Sequence, residues 1–216
     1  PTRRSSDLTD AIKAFALDQT DDLDPAATVV RSTLVLRRNP QAEDRHAPLR
    51  LDGHNLALLG IKVDGVPLPE THYAVGDDGA LTIPRPSDIL VLETEVRIAP
   101  EKNTEFSGLY TSGGNFYTQC EAEGFRRIAF FPDRPDVMAR FTVTLAADKA
   151  RYPVLLSNGN PASTGEEEGT GRHWAKWEDP HPKPSYLFAL VAGDLVDCET
   201  MYAAKEIGRA SCRERV

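Results

Sequence analysis

Long apolar runs are missing from this 216-residue chain. No stretch approaches the roughly 18 apolar residues that a membrane-spanning helix requires, so no membrane partner is expected. Positive charge is scarce as well: 25 Lys and Arg stand against 33 Asp and Glu, for a net charge of −8. That balance supplies no basic field to hold nucleic acid or an anionic lipid surface. Cysteine is thin and unevenly spaced, at Cys120, Cys198 and Cys212, and builds no disulfide framework. The first residues also lack the apolar segment of a signal peptide, so a reducing cytoplasm is the expected setting. Histidine is present only singly, at His46, His54, His72, His173 and His181. None stands in the HExxH spacing that puts two zinc ligands on one helical face, so no metal site is expected within this chain.

No long helical period runs through the sequence either. What is there alternates. Val30, Ser32, Leu34 and Leu36 share one face of a strand over 29–36, and Leu90, Leu92, Thr94, Val96 and Ile98 share one face of another over 90–98. Further strands are expected at 49–63 (two short ones), 66–68, 81–83, 140–145, 154–157 and 172–177. Residues 186–192 form a nearly unbroken apolar run, the pattern of a strand buried on both faces. Asp64-Gly65 and Asp78-Gly79 fall between apolar runs, where a glycine that accepts positive φ closes a hairpin. Residues 21–25, 37–48, 107–115 and 166–171 read as turns or loops, and Pro135–Met138 as one helical turn. Residues 9–21 fit either a short helix capped by Thr9 or a strand. Ten or more short strands with turns at close intervals indicate an all-β domain of mostly antiparallel strands, built as a β-sandwich or as strongly curved sheets.

The stretch from Tyr117 to Asp136 concentrates the chemistry. If it is extended, Gln119, Glu121 and Glu123 project to one face, and polar acceptors at neighbouring same-face positions can hold a cation such as an α-ammonium. The alternative for Glu121 is an ion pair with Arg126 or Arg127 at a sheet edge. Arg126, Arg127 and Arg134 are expected to fix the loop by pairing with Asp133 and Asp136, and Glu123 to be solvated or to stand behind the other two. Phe130, Phe131 and Tyr117 either line a pocket or fill the core. Cys120 is expected to be buried and inert.

The wording of this stretch, Gln119-Cys-Glu-Ala-Glu-Gly-Phe-Arg-Arg127 followed by the Asp133-Arg-Pro-Asp136 turn, resembles the N-terminal domain of the M1 metallo-aminopeptidases in their bacterial aminopeptidase N form. The blocks Tyr152–Asn160 and Pro182–Asp194 resemble later parts of the same domain, and the likeness covers about residues 12 to 204. It implies a saddle-shaped β-sandwich. It also implies that Glu121 and Gln119 bind the α-ammonium at the N-terminus of a peptide substrate. The family's Zn2+, its HExxH helix, its general-base glutamate and its exopeptidase loop belong to a catalytic domain beyond residue 205. On this reading the ligands for zinc are absent from this chain, its partner is the missing catalytic domain of the same protein, and it is inactive alone. The rivals are a non-catalytic scaffold of the same family and a free-standing β-sandwich that binds carbohydrate or protein. Residues 1–8 and 206–216 resemble translations of sequencing-library adapters, which leaves 9–205 as the domain.

Overall fold

The computed structural model describes residues 12–39, 44, 46–84, 86–204 and 208–215. The chain opens with β1 (Ile12–Asp22) and β2 (Thr28–Arg38), so the N-terminal ambiguity resolves as a strand. β1 continues through Asp21 and Asp22, which sequence reasoning assigned to a turn, because it is paired on both sides, with β2 and with a later strand. The turn itself begins after Leu23. There Asp24 Oδ1 accepts the amides of Ala26 and Ala27 at 2.8 and 3.1 Å.

Short strands follow: β3 (Leu49–Leu51), β4 (Ala57–Val63), β5 (Val66–Pro67), β6 (Ala74–Val75) and β7 (Leu81–Ile83). β4 and β5 are joined by Asp64 and Gly65, both at positive φ (51° and 79°), the backbone of a tight hairpin turn. A Cβ at Gly65 would meet nothing within 4 Å. Gly65→Ala should therefore cost only the left-handed backbone penalty, about 1 kcal/mol. Urea unfolding checks this. A loss above about 3 kcal/mol would mean that the tip is not open, and no loss would mean that the turn is not left-handed.

β8 (Ile89–Ile98) leads to β9 (Gly108–Ser112) and β10 (Asn115–Gln119). Sequence reasoning took 107–115 for a loop. Instead Gly113 and Gly114, at φ 57° and 86°, close a hairpin, and Tyr110 lies opposite Tyr117. After the central stretch come β11 (Ala139–Asp148), β12 (Val154–Ser157), β13 (Asn160–Glu167), β14 (Arg172–Lys183), β15 (Leu190–Gly193), β16 (Asp197–Ala204) and β17 (Gly208–Arg215). The acidic loop shrinks to 168–171, since Glu166 and Glu167 pair with β14. The 186–192 run is not one strand. A 3₁₀ turn at Ser185–Leu187 exposes Leu187, and only 190–193 joins a sheet. Pro135–Met138 makes a hydrogen-bonded turn, with Val137 N donating to Arg134 O at 3.2 Å, and no helix.

Among the described residues the strands form an eight-stranded sheet ordered β13-β14-β11-β1-β2-β8-β4-β5, a four-stranded sheet β12-β15-β10-β9, a three-stranded sheet β3-β7-β6 and the β16–β17 hairpin. β1 and β11 run parallel, and the other pairs are antiparallel. The alternation read from the sequence decides the packing. Val30, Leu34 and Leu36 of β2, Leu92 and Val96 of β8, and Leu145 of β11 are all fully buried. They share one core with Leu51, Leu81, Phe116 and Ala192 from the smaller sheets. Each such side chain contributes about 1.5–3 kcal/mol on burial. Beneath the central stretch, the Phe125 ring packs on Phe188 at 5.0 Å, Phe131 at 5.2 Å and Phe141 at 5.9 Å. No helix among the described residues is long and apolar enough to cross a membrane.

Candidate functional site

β10 carries the chain out of the core and ends at Gln119. Extended structure stops there: residues 121–124 are a turn and Phe125–Arg127 a 3₁₀ turn, so the same-face alternation expected for Gln119, Glu121 and Glu123 does not occur. The Glu121–Ala122 peptide is cis. The fold-back is set by glycine. A Cβ at Gly124 would collide with the Gln119 carbonyl oxygen and stand 2.9 Å from both Cys120 Cα and Gly108 N. Gly124 N donates to Cys120 O at 2.8 Å and closes the loop.

The turn places Gln119, Glu121 and Glu123 on the surface, all three exposed, while Cys120 between them is 2% exposed. Gln119 Nε2 donates to the Glu121 backbone carbonyl at 3.3 Å, so the amide nitrogen is committed within the turn while its oxygen remains an acceptor. Burial, reinforced by the negative charges of Asp133 and Asp21, pushes the Cys120 thiol well above its ordinary range, so it is an inert core group. Phe130 and Phe131 are fully buried and belong to the core. Tyr117 is partly exposed, 6.1 Å from Tyr110.

The arginines are committed elsewhere. Arg126 donates from Nε to Asp133 Oδ2 at 3.1 Å and reaches Glu123 at 3.3 Å. Arg134 pairs with Asp136 at 2.7 Å. Arg127 does not take an aspartate of its own loop but meets Glu105 at 2.5 Å, a pairing across 22 residues that nothing local in the sequence signals. Among the described residues no arginine pairs with Glu121.

Asp133 is the hub. At 2% exposure it accepts the Arg126 amide at 3.1 Å and the Ser185 hydroxyl at 2.5 Å, and its own amide donates to Asp52 Oδ2 at 3.0 Å. Asp52 in turn bridges the backbone of Phe131. Ser185 and Asp52 were missed in the sequence because they lie 52 and 81 residues from Asp133. These bonds tie the Phe125–Arg127 turn to Ser185 and Asp52, and the exposed Glu121 carboxylate and Gln119 amide oxygen are groups that can accept the hydrogens of a small cation. Among the described residues no three His, Cys, Asp or Glu side chains group to hold a metal ion.

The family model described as the peptidase M1 N-terminal domain matches residues 70–187. Aminopeptidase N of Caulobacter vibrioides is 52% identical over 184 residues, 84% of this chain and 21% of that protein. Aminopeptidase N of Escherichia coli is 45% identical over 194 residues, 88% of this chain and 22% of that protein. Among solved structures, Legionella pneumophila aminopeptidase A in complex with aspartic acid matches with a TM-score of 0.87 at 32% identity, over 98% of this chain and 25% of that one. A Deinococcus radiodurans M1 zinc metallopeptidase mutant bound to a Tyr-Ser-Ala substrate matches with a TM-score of 0.75 at 16% identity, a likeness of fold alone, over 95% of this chain and 47% of that one. The chain spans about a fifth of the length of the curated relatives it matches.

Proposed function

The chain belongs to the peptidase M1 N-terminal domain family, and on that premise we propose that it is the substrate-anchoring segment of a zinc-dependent aminopeptidase. Its Glu121 and Gln119 hold the α-ammonium of a peptide. The observation that carries this reading is that Gln119 and Glu121 are both exposed at one turn, tied to each other by the bond from Gln119 Nε2 to the Glu121 carbonyl, in a chain that matches this family. Charge-assisted bonds to an ammonium are short and about twice the strength of neutral ones. An anchor of this kind selects a free N-terminus, because an internal peptide nitrogen carries no charge and fewer hydrogens. It also fixes the distance from the amine to the scissile bond, which is how an anchor far from the bond-breaking step raises turnover.

Zinc in the full-length enzyme would polarise the scissile carbonyl and activate water. On this proposal its ligands lie in the part of the protein that this chain does not cover; among the described residues no three His, Cys, Asp or Glu side chains group to hold a metal ion. That missing catalytic domain is the partner we assign. Phe106, just ahead of β9, is 58% exposed with its ring edge-to-face against Tyr110 at 5.2 Å, an exposed aromatic available to such a partner. The net charge supports the absence of nucleic-acid and anionic-membrane partners, and the buried free thiol of Cys120 suits a reducing cytoplasm.

The test uses an aminoacyl anilide. The full-length protein should release the chromogenic amine from the free-amine substrate and not from its N-acetylated form, and the 216-residue chain should release none with zinc supplied. Equal hydrolysis of the acetylated substrate would overturn the anchoring role, and turnover by the 216-residue chain would overturn the division of labour.

A further inference from the structure

The inward face of β1 carries two polar side chains where its neighbours are apolar. Leu17 and Leu23 are buried there, and between them Gln19 and Asp21 are each fully buried. Asp21 is in register with Val30 of β2 on one side and Leu145 of β11 on the other. Its side-chain partner is Gln19, whose Nε2 stands 2.8 Å from both carboxyl oxygens. Gln19 Oε1, equally buried, has no partner among the described residues. The titratable group electrostatically coupled to Asp21 is Cys120, the residue after β10, and the same thiol feels Asp133, itself held by Arg126. Asp18 and Asp22 alternate to the other face of β1, toward Lys176, Glu178 and Arg172. Among the described residues no cation pairs with Asp21.

A buried carboxylate becomes tolerable when several N–H donors or a cation replace its water. Here one amide serves both oxygens. A half-turn of that amide would instead place the orphaned Oε1 on the hydroxyl of a neutral acid. We infer that the Gln19–Asp21 pair is a protonation switch in the core, closed while Asp21 is a neutral acid and loosened, beneath Cys120 and the turn that bears Glu121, when Asp21 ionises. The inference stands apart from the enzymatic reading, since it concerns folding alone.

Burial raises Asp21 to about 7, with the Gln19 bond pulling partly back. In the unfolded chain it titrates at its ordinary value of 3.8. Between those values the folded chain keeps a proton that the unfolded chain has released. The stability linked to that proton is whole below 3.8, falls tenfold in the folding constant per pH unit, and is gone above 7.

Urea unfolding of the chain at pH 5 and pH 8 tests this. The unaltered chain should lose roughly a hundredfold in its folding constant across that window relative to Asp21→Asn, which cannot ionise. Asp21→Leu is the second variant and should behave as the first. The same fall in either variant as in the unaltered chain would overturn the switch. If neither variant folds, infrared spectroscopy of the unaltered chain decides. A protonated-carboxyl band that persists at pH 6 and vanishes by pH 8 supports the switch, and its absence at pH 6 overturns it.

Discussion

Replacing Glu121 with alanine in the full-length protein is expected to lower kcat/KM for an aminoacyl anilide by about a hundredfold and to leave its zinc content unchanged. Hydrogen bonds to charged groups contribute about 1.5–3 kcal/mol, and each 1.4 kcal/mol is a factor of ten. The upper part of that range applies because the anchor also orients the scissile bond. Gln119→Ala removes a neutral acceptor and should cost about tenfold. The split between constants is informative. If the amine is gripped equally in the bound substrate and in the transition state, KM rises and kcat holds. If the grip tightens as the carbonyl is attacked, kcat falls. Folding is not at issue, because Glu121 is exposed and makes no ion pair among the described residues. Unchanged kinetics with Glu121→Ala would remove the residue from the site.

The second large effect is at Asp133. Asp133→Ala should destabilise the domain by about 3 kcal/mol. The substitution strips the partner from the Arg126 amide and guanidinium and from the Ser185 hydroxyl, all packed where water has little access. Arg126 keeps Glu123, an exposed partner, so its charge is not wholly stranded, which is why the figure sits at the lower end for a broken buried pair. For a domain of this size the loss lowers the melting temperature by about 10 °C. Asp133→Asn retains an acceptor and should lose markedly less. A melting temperature within about 2 °C of the unaltered protein for Asp133→Ala would show that Asp133 does not hold the turn.

The strands that pack one face on the core were legible residue by residue. In β2 and β8 the inward set read from the sequence is the buried set, because one face meets the core and the other meets water or a neighbouring pair. Asp64-Gly65 gave its hairpin for a reason of backbone sterics that needs no tertiary context. Where burial does not alternate, the signal failed. β13 is an edge strand whose residues are nearly all exposed, so no apolar period marks it, and β9 was hidden by the glycines that close its hairpin. Asp21 and Asp22 look like turn residues, yet pairing on both sides holds them in a strand and buries one of them. At the site, the motif pointed to Gln119 and Glu121, whereas periodicity gave the wrong local shape. The turn is made by contacts of Gly124 with Cys120 and Gly108 that only the folded chain reveals.

An amine-deletion cycle probes the grip itself. A competitive amino-acid amide inhibitor and its des-amino analogue, each titrated against the unaltered full-length protein and the Glu121→Ala variant, isolate the energy between the ammonium and this one carboxylate. The unaltered protein should prefer the amine by about a hundredfold, and the variant by less than about tenfold. A preference that survives the substitution undiminished would mean that the positive head of the peptide is held by something other than Glu121.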